Sequence, residues 1–85
     1  MGKRIEKLIE RLKSRPKTFK YSDAKRVLEH FGYQEDTGGK TSGSYVQFVH
    51  SEHAPISLHK PHPGNELKAY LVRYIAEQLE AEGLM

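Results

Sequence analysis

The sequence predicts an α+β domain, in which a three-stranded antiparallel sheet carries helices on one face. Apolar residues recur at the helical period toward both ends of the chain, and they alternate with polar residues between positions 45 and 59. The third observation is length, since 85 residues suffice for one small domain but not for two. We therefore expect residues 1–85 to form a single domain with the element order ααβββα.

The first helix is predicted from Lys3 to Ser14, and it ends before Pro16 because the residue preceding a proline disfavours helical geometry. Its apolar face is formed by Ile5, Leu8, Ile9 and Leu12. Basic side chains recur every four residues on the other face: Lys3, Lys7, Arg11 and Arg15. Residues 1–16 are thus interpreted as a basic N-terminal helix, whose outer face is either merely solvated or binds an anion.

A second helix is predicted to begin with Ser22 or Asp23 as its N-cap and to end at Gly32. Its apolar positions are Ala24, Val27, Leu28 and Phe31. Residues 33–36 are interpreted as a short edge strand, followed by a glycine-rich loop over residues 37–44 that carries Lys40.

Two half-buried antiparallel strands follow, joined by a turn at residues 51–55. Because side chains alternate between the faces of a strand, one set faces inward: Val46, Phe48, Ile56 and Leu58. The opposite, accessible face receives Tyr45, Gln47, Ser57 and His59.

The last helix is predicted to begin near Asn65, a good N-cap residue, and to end before Gly83. The side chains expected to face inward are Leu67, Tyr70, Leu71, Tyr74, Ile75 and Leu79.

Charge is distributed unevenly along the chain. The first 26 residues hold ten of the fourteen Lys and Arg residues and three of the eleven acidic ones, so they carry +7 and the remainder carries −4. A basic N-terminal segment favours an anionic partner, most often a nucleic acid.

Several classes of site and location are disfavoured by composition. The chain has no cysteine, which excludes disulfides and thiolate metal sites, and its histidine pairs lack the ligand set of structural zinc. We therefore predict no metal and no cofactor. No apolar run approaches the roughly 20 residues that span a bilayer, and no secretion signal is evident, so we expect a cytoplasmic protein without a membrane partner.

The remaining polar groups are those of a metal-free ribonuclease. Such an enzyme needs a base for the 2′-hydroxyl proton, an acid for the leaving 5′-oxygen and cations for the phosphorane charge. Tyr45 and His59 lie on the accessible face, and His62 and Lys60 lie in the proline-rich bend after it. We take Tyr45, His59 and His62 as catalytic candidates. The candidate RNA contacts are Lys7, Arg11, Lys40, Ser44, Gln47 and Lys60.

Three segments in this order resemble the HicA family of bacterial toxins: Gly43–His50, Ile56–Gly64, and the helix start Asn65–Lys68 with its later Leu71, Ile75 and Glu82–Leu84. The likeness covers Ser22 to Leu84, and residues 22–84 would form the HicA-like core. The basic first helix resembles the extension of longer family members.

The resemblance implies a fold similar to a double-stranded RNA-binding domain. It also implies metal-independent cleavage of messenger RNA by the toxin of a type II toxin-antitoxin system, and neutralisation by a HicB-type antitoxin protein.

This chain departs from the family pattern at one position, because Tyr45 stands where the family usually has its catalytic histidine. A phenol, with an unperturbed pKa near 10, is a poor general base at neutral pH. Proton transfer would then fall to His59, His62 or His50. An endoribonuclease is the favoured interpretation. The alternatives are an RNA-binding module without catalysis and a protein-interaction domain for an acidic partner.

Overall fold

The computed structural model describes residues 2–36, 45–59 and 64–85. Its three helices are α1 (Gly2–Lys13), α2 (Tyr21–His30) and α3 (Ala69–Ala81). Its strands are β1 (Phe19–Lys20), β2 (Gln34–Asp36), β3 (Tyr45–Val49), β4 (Ile56–His59) and β5 (Glu66–Leu67). None of the helices in these ranges is long and apolar enough to cross a membrane.

Strands β2, β3 and β4 form an antiparallel sheet in that spatial order. The predicted α+β class, with three helices and a three-stranded sheet in the manner of a double-stranded RNA-binding domain, is confirmed. The four side chains assigned to the inner face of β3 and β4 are buried: Val46, Phe48, Ile56 and Leu58. The helices cover this face, and the other face of the sheet is called the outer face below.

Helix α1 packs against α2 and α3 through its apolar side chains. Leu12 is fully buried, and Ile5, Leu8 and Ile9 are partly buried against the same core. Since the spacing of these four residues follows the helical period, they lie along one stripe that faces the domain. The N-terminal helix is therefore part of the packed structure.

The start of the last helix differs from the prediction. Asn65 is not its N-cap, because Glu66 and Leu67 pair with Lys20 and Phe19 as a two-stranded antiparallel ladder, and α3 begins only at Ala69. This ladder joins residues more than 40 positions apart, and two-residue strands are too short for any alternation to be visible in the sequence.

Tyr70 is exposed, although it was predicted to face inward. In α3 the fully buried positions are Val72, Ile75, Ala76 and Leu79, which lie at i, i+3, i+4 and i+7. This stripe places Tyr70 on the opposite side of the helix.

Helix α2 begins at Tyr21, before the predicted caps Ser22 and Asp23, because Lys20 ends β1 and has extended backbone geometry there. The helix ends at His30 with Phe31 as its C-cap, and Gly32 follows as the predicted C′ residue with φ +98°. A carboxylate on β2 then ties the strand to α2: Glu35 accepts hydrogen bonds from Lys25 Nζ at 2.9 Å and from the Tyr21 hydroxyl at 3.2 Å. Burial, together with the negative charge of Glu35, raises the pKa of Tyr21.

Candidate functional site

The outer face of the sheet brings together two of the predicted catalytic positions. Tyr45 at the start of β3 pairs directly with His59 at the end of β4, and the next pair on this face is Gln47 with Ser57. His59 is exposed, whereas Gln47 and Ser57 are half-buried. The backbone register therefore sets Tyr45, Gln47 and His59 side by side on the face that the helices leave uncovered.

The hydrogen bonds of Ser57 indicate how closely these residues approach. Its N–H donates to the Tyr74 hydroxyl at 3.3 Å, so it points away from β3, and its Oγ accepts from Gln47 Nε2 at 3.2 Å. The Gln47–Ser57 pair is thus of the non-hydrogen-bonded type. Pair types repeat every two residues, so Tyr45 and His59 form the same type, for which the Cα atoms lie about 4.5 Å apart. This is the narrower of the two spacings in an antiparallel ladder.

Four predicted site residues lie outside the described part of the chain: Lys40, Ser44, Lys60 and His62. Ser44 and Lys60 are the direct chain neighbours of Tyr45 and His59.

Asp36 is a carboxylate on the outer face that the sequence analysis did not include. It pairs with Gln47 from the β2 side, one row away from the Tyr45–His59 pair. The sequence did indicate that Asp36 lies in a strand, because residues 33–36 were predicted as an edge strand. The pairing of β2 with β3 was not predictable, since eight residues separate Asp36 from Tyr45 and leave the register open.

His50 is unsuited to act as the base, although it was one of three histidines considered for that role. Its Nδ1 accepts the backbone N–H of Glu52 at 2.9 Å, so its proton resides on Nε2, which donates to the Phe31 carbonyl at 3.0 Å. Both ring nitrogens are engaged in structural hydrogen bonds. His59 is therefore the one described histidine of the three that remains a candidate base.

The basic helix presents a shorter stripe than predicted. Lys7 and Arg11 are exposed on α1, and the Arg11 guanidinium lies 5.3 Å from the centre of the Phe19 ring. Arg15 does not continue the stripe, because α1 ends at Lys13 and Arg15 adopts φ +51°. Its guanidinium instead makes a bidentate pair with Glu80 of α3, at 2.8 and 3.2 Å.

Histidine and carboxylate side chains do not cluster into a metal site in the described ranges, where no group of three or more such ligands occurs. The outer face carries imidazole, amide, hydroxyl and carboxylate groups, contributed by His59, Gln47, Ser57 and Asp36.

The chain matches a known protein family. The family model described as the HicA toxin of bacterial toxin-antitoxin matches residues 21–81, which covers α2, the three-stranded sheet and α3. Neither a search of curated proteins nor a search of solved structures found a significant match. The first helix and the whole of β1 precede the matched region. A toxin of such a system has a partner antitoxin. With nearly three quarters of its length matched, the chain belongs to the HicA family of bacterial toxins.

Proposed function

We propose that this protein is a cytoplasmic toxin that cleaves messenger RNA without a metal ion, and that a HicB-type antitoxin neutralises it. The direct cross-strand pairing of Tyr45 with His59 on the uncovered face of the sheet is the observation that carries this proposal. It supports a reaction centre at the end of the sheet where β3 begins and β4 ends.

In the proposed reaction the ribose 2′-oxygen attacks phosphorus, the bond from phosphorus to the 5′-oxygen breaks, and a 2′,3′-cyclic phosphate forms. The 2′-hydroxyl proton passes to a base, and the leaving 5′-oxygen receives a proton from an acid. Imidazole suits either role because its unperturbed pKa is near neutrality. We assign one of them to His59, and the other to His62 in the bend that follows.

Tyr45 is proposed to act by position. Its strand position pairs with that of His59, and a phenol there can donate a hydrogen bond to a phosphoryl oxygen, or its ring can stack on a base. Gln47 and Ser44 would contact the RNA beside it, and Lys40 and Lys60 would neutralise phosphate charge. Lys7 and Arg11 would extend the contact to the basic helix.

The test is incubation of the purified chain with messenger RNA in the presence and absence of a chelator. We expect cleavage in both conditions, with 2′,3′-cyclic phosphate and 5′-hydroxyl ends on the products. Cleavage that stops in the chelator, or products with 5′-phosphate ends, would contradict the mechanism.

A non-catalytic RNA-binding module is the second candidate, because Tyr45 occupies the position at which the family usually has its catalytic histidine. It predicts salt-dependent RNA binding with no cleaved product under either condition.

A further inference from the structure

A groove lies between the N-terminal extension, residues 1–20, and the start of α3. Lys17, Thr18 and Lys20 form one wall, and residues 64–69 form the other. Its volume is about 770 Å³. The first wall precedes residues 21–81, the region that matches the family model.

Three lysines line this groove: Lys17, Lys20 and Lys68. All three are exposed, and none forms an ion pair with any residue in the described part of the chain. Glu66 is the one carboxylate among the lining residues. Although Glu66 lies directly across the ladder from Lys20, the two side chains are not ion-paired. The groove therefore presents unneutralised positive charge.

One cation of α1 is linked to the groove through the core. The Arg11 guanidinium lies 5.3 Å from the centre of the Phe19 ring, and Phe19 pairs across the β1–β5 ladder with Leu67, which lines the groove. Phe19 and Leu67 are buried, so the ladder fixes the position of the groove relative to α1.

We propose that this groove binds the phosphate backbone of the RNA strand that is cleaved on the outer face, an inference that rests on the proposed function. Chain connectivity makes one strand able to reach both places. Gly64 in the groove follows His59 by five residues, so their Cα atoms lie at most about 18 Å apart. A strand of about six stacked nucleotides, with roughly 3.4 Å for each of its five steps, spans about that distance.

The composition of the groove favours RNA over an acidic protein. Protein interfaces are anchored by aromatic and other large apolar side chains, and lysine is depleted at their centres. The exposed groove side chains are instead three lysines with Thr18, Asn65, Glu66 and the small Ala69, and the one large apolar side chain, Leu67, is buried. Unpaired lysines without apolar anchors are typical of contacts to phosphate, which hold a strand in register without reading its sequence.

The test measures binding to a short fluorescent RNA whose 2′-hydroxyls are methylated, so that it cannot be cleaved. The groove variant Lys17→Gln/Lys68→Gln is compared with the control Lys13→Gln/Arg26→Gln, which removes the same charge from exposed positions outside the groove. We expect the groove variant to bind about tenfold more weakly. The slope of log affinity against log salt concentration should become shallower by about 1.4, because each of the two lost phosphate contacts on a single strand contributes roughly 0.7. The control should stay close to wild type. Circular dichroism verifies that both variants are folded.

Equal losses in the groove and control variants would overturn the proposal, because bulk charge would then explain the effect. A parallel titration with polyglutamate addresses the alternative partner: a groove variant that loses polyglutamate binding while keeping RNA affinity would also overturn it.

Cleavage of unmodified RNA separates this proposal from the proposed function. Selective loss of binding in the groove variant, with no cleavage by the wild type, would leave the groove assignment standing and reject the ribonuclease. Cleavage by the wild type, with unchanged RNA binding in the groove variant, would leave the ribonuclease standing and reject the groove assignment. If the wild type binds no RNA, both are rejected.

Discussion

At the scale of single residues, His59 is the described side chain on which the proposed chemistry depends most. It is exposed at the end of β4 and lies opposite Tyr45. A positioned imidazole contributes about 10²- to 10⁴-fold to a rate through proton transfer. We therefore expect His59→Ala, and likewise His62→Ala, to abolish growth inhibition when the toxin is expressed alone, and His59→Ala to lower the cleavage rate by that factor.

His30→Ala is a matched control, because His30 is an exposed histidine at the end of α2. It should retain full activity. If the His59 and His62 variants both remain as toxic as His30→Ala, the base lies elsewhere.

Two features disfavour a side chain at Gly32: its positive φ and its proximity to His50. At φ +98° an L side chain is strained, and a Cβ atom there would lie 2.7 Å from His50 Nε2, which donates to the Phe31 carbonyl. We expect Gly32→Ala to lower the free energy of unfolding by about 1–3 kcal/mol, measured by urea denaturation.

Gly83→Ala separates these two constraints. Gly83 also has positive φ, +78°, but a Cβ atom there would meet nothing within 4 Å. Its substitution should therefore destabilise the protein less than Gly32→Ala. Equal losses would mean that the contact with His50 contributes nothing.

At the scale of elements, α1 is attached to the domain by apolar burial. Leu12 is fully buried where α1 meets α2 and α3. Leu12→Ala removes this contact and leaves a cavity, which typically costs about 2–5 kcal/mol of unfolding free energy. Lys13→Ala changes an exposed neighbour and serves as the control in the same denaturation experiment. A loss as small as that of Lys13→Ala would show that α1 is only loosely docked.

The outer face of α1 is predicted to act in binding rather than in stability. Lys7→Gln/Arg11→Gln should weaken RNA or antitoxin binding and should reduce the salt dependence of RNA binding by about 1.4 to 1.8. The thermal midpoint should change little, because Lys7 is exposed and the Arg11–Phe19 contact is worth only about 0.5–1 kcal/mol at an exposed site. Unchanged affinities would identify the stripe as a solvated surface.

At the scale of the whole molecule, the Arg15–Glu80 pair links the segment after α1 to α3. The hydrogen bond from Arg15 lowers the pKa of Glu80 in the folded protein. The folded state therefore binds fewer protons than the unfolded state near this pKa. The stability from the pair is present above the unfolded carboxyl pKa of about 4.3 and is lost as the pH falls through the folded pKa.

Glu80→Gln should consequently destabilise the protein at neutral pH, and its difference from the wild type should shrink as the solution is acidified. Urea denaturation at a series of pH values measures this difference. Glu77→Gln, three residues earlier on an exposed part of α3, is the control and should show a smaller dependence. A constant difference across the acidic range would contradict the assigned role of the pair.

The sequence by itself determined the features that repeat over short distances. Helical spacing identified α1 and its buried face, and alternation identified which side chains of β3 and β4 face the core and which share the outer face with His59. Such patterns are local, because side-chain direction repeats with the period of the backbone. The order and spacing of short motifs also sufficed for the family assignment, which the family match confirms.

Tertiary structure alone decided what depends on contacts between distant residues. The β1–β5 ladder sets the start of α3 at Ala69, Arg15 pairs with Glu80 and leaves the basic stripe, and the Phe31 carbonyl accepts a hydrogen bond from His50. No local period records a pairing across 19 to 65 residues, since it arises only when the packed core brings the two segments together. The groove beside Lys17, Lys20 and Lys68 is of this kind, because its walls come from opposite ends of the chain.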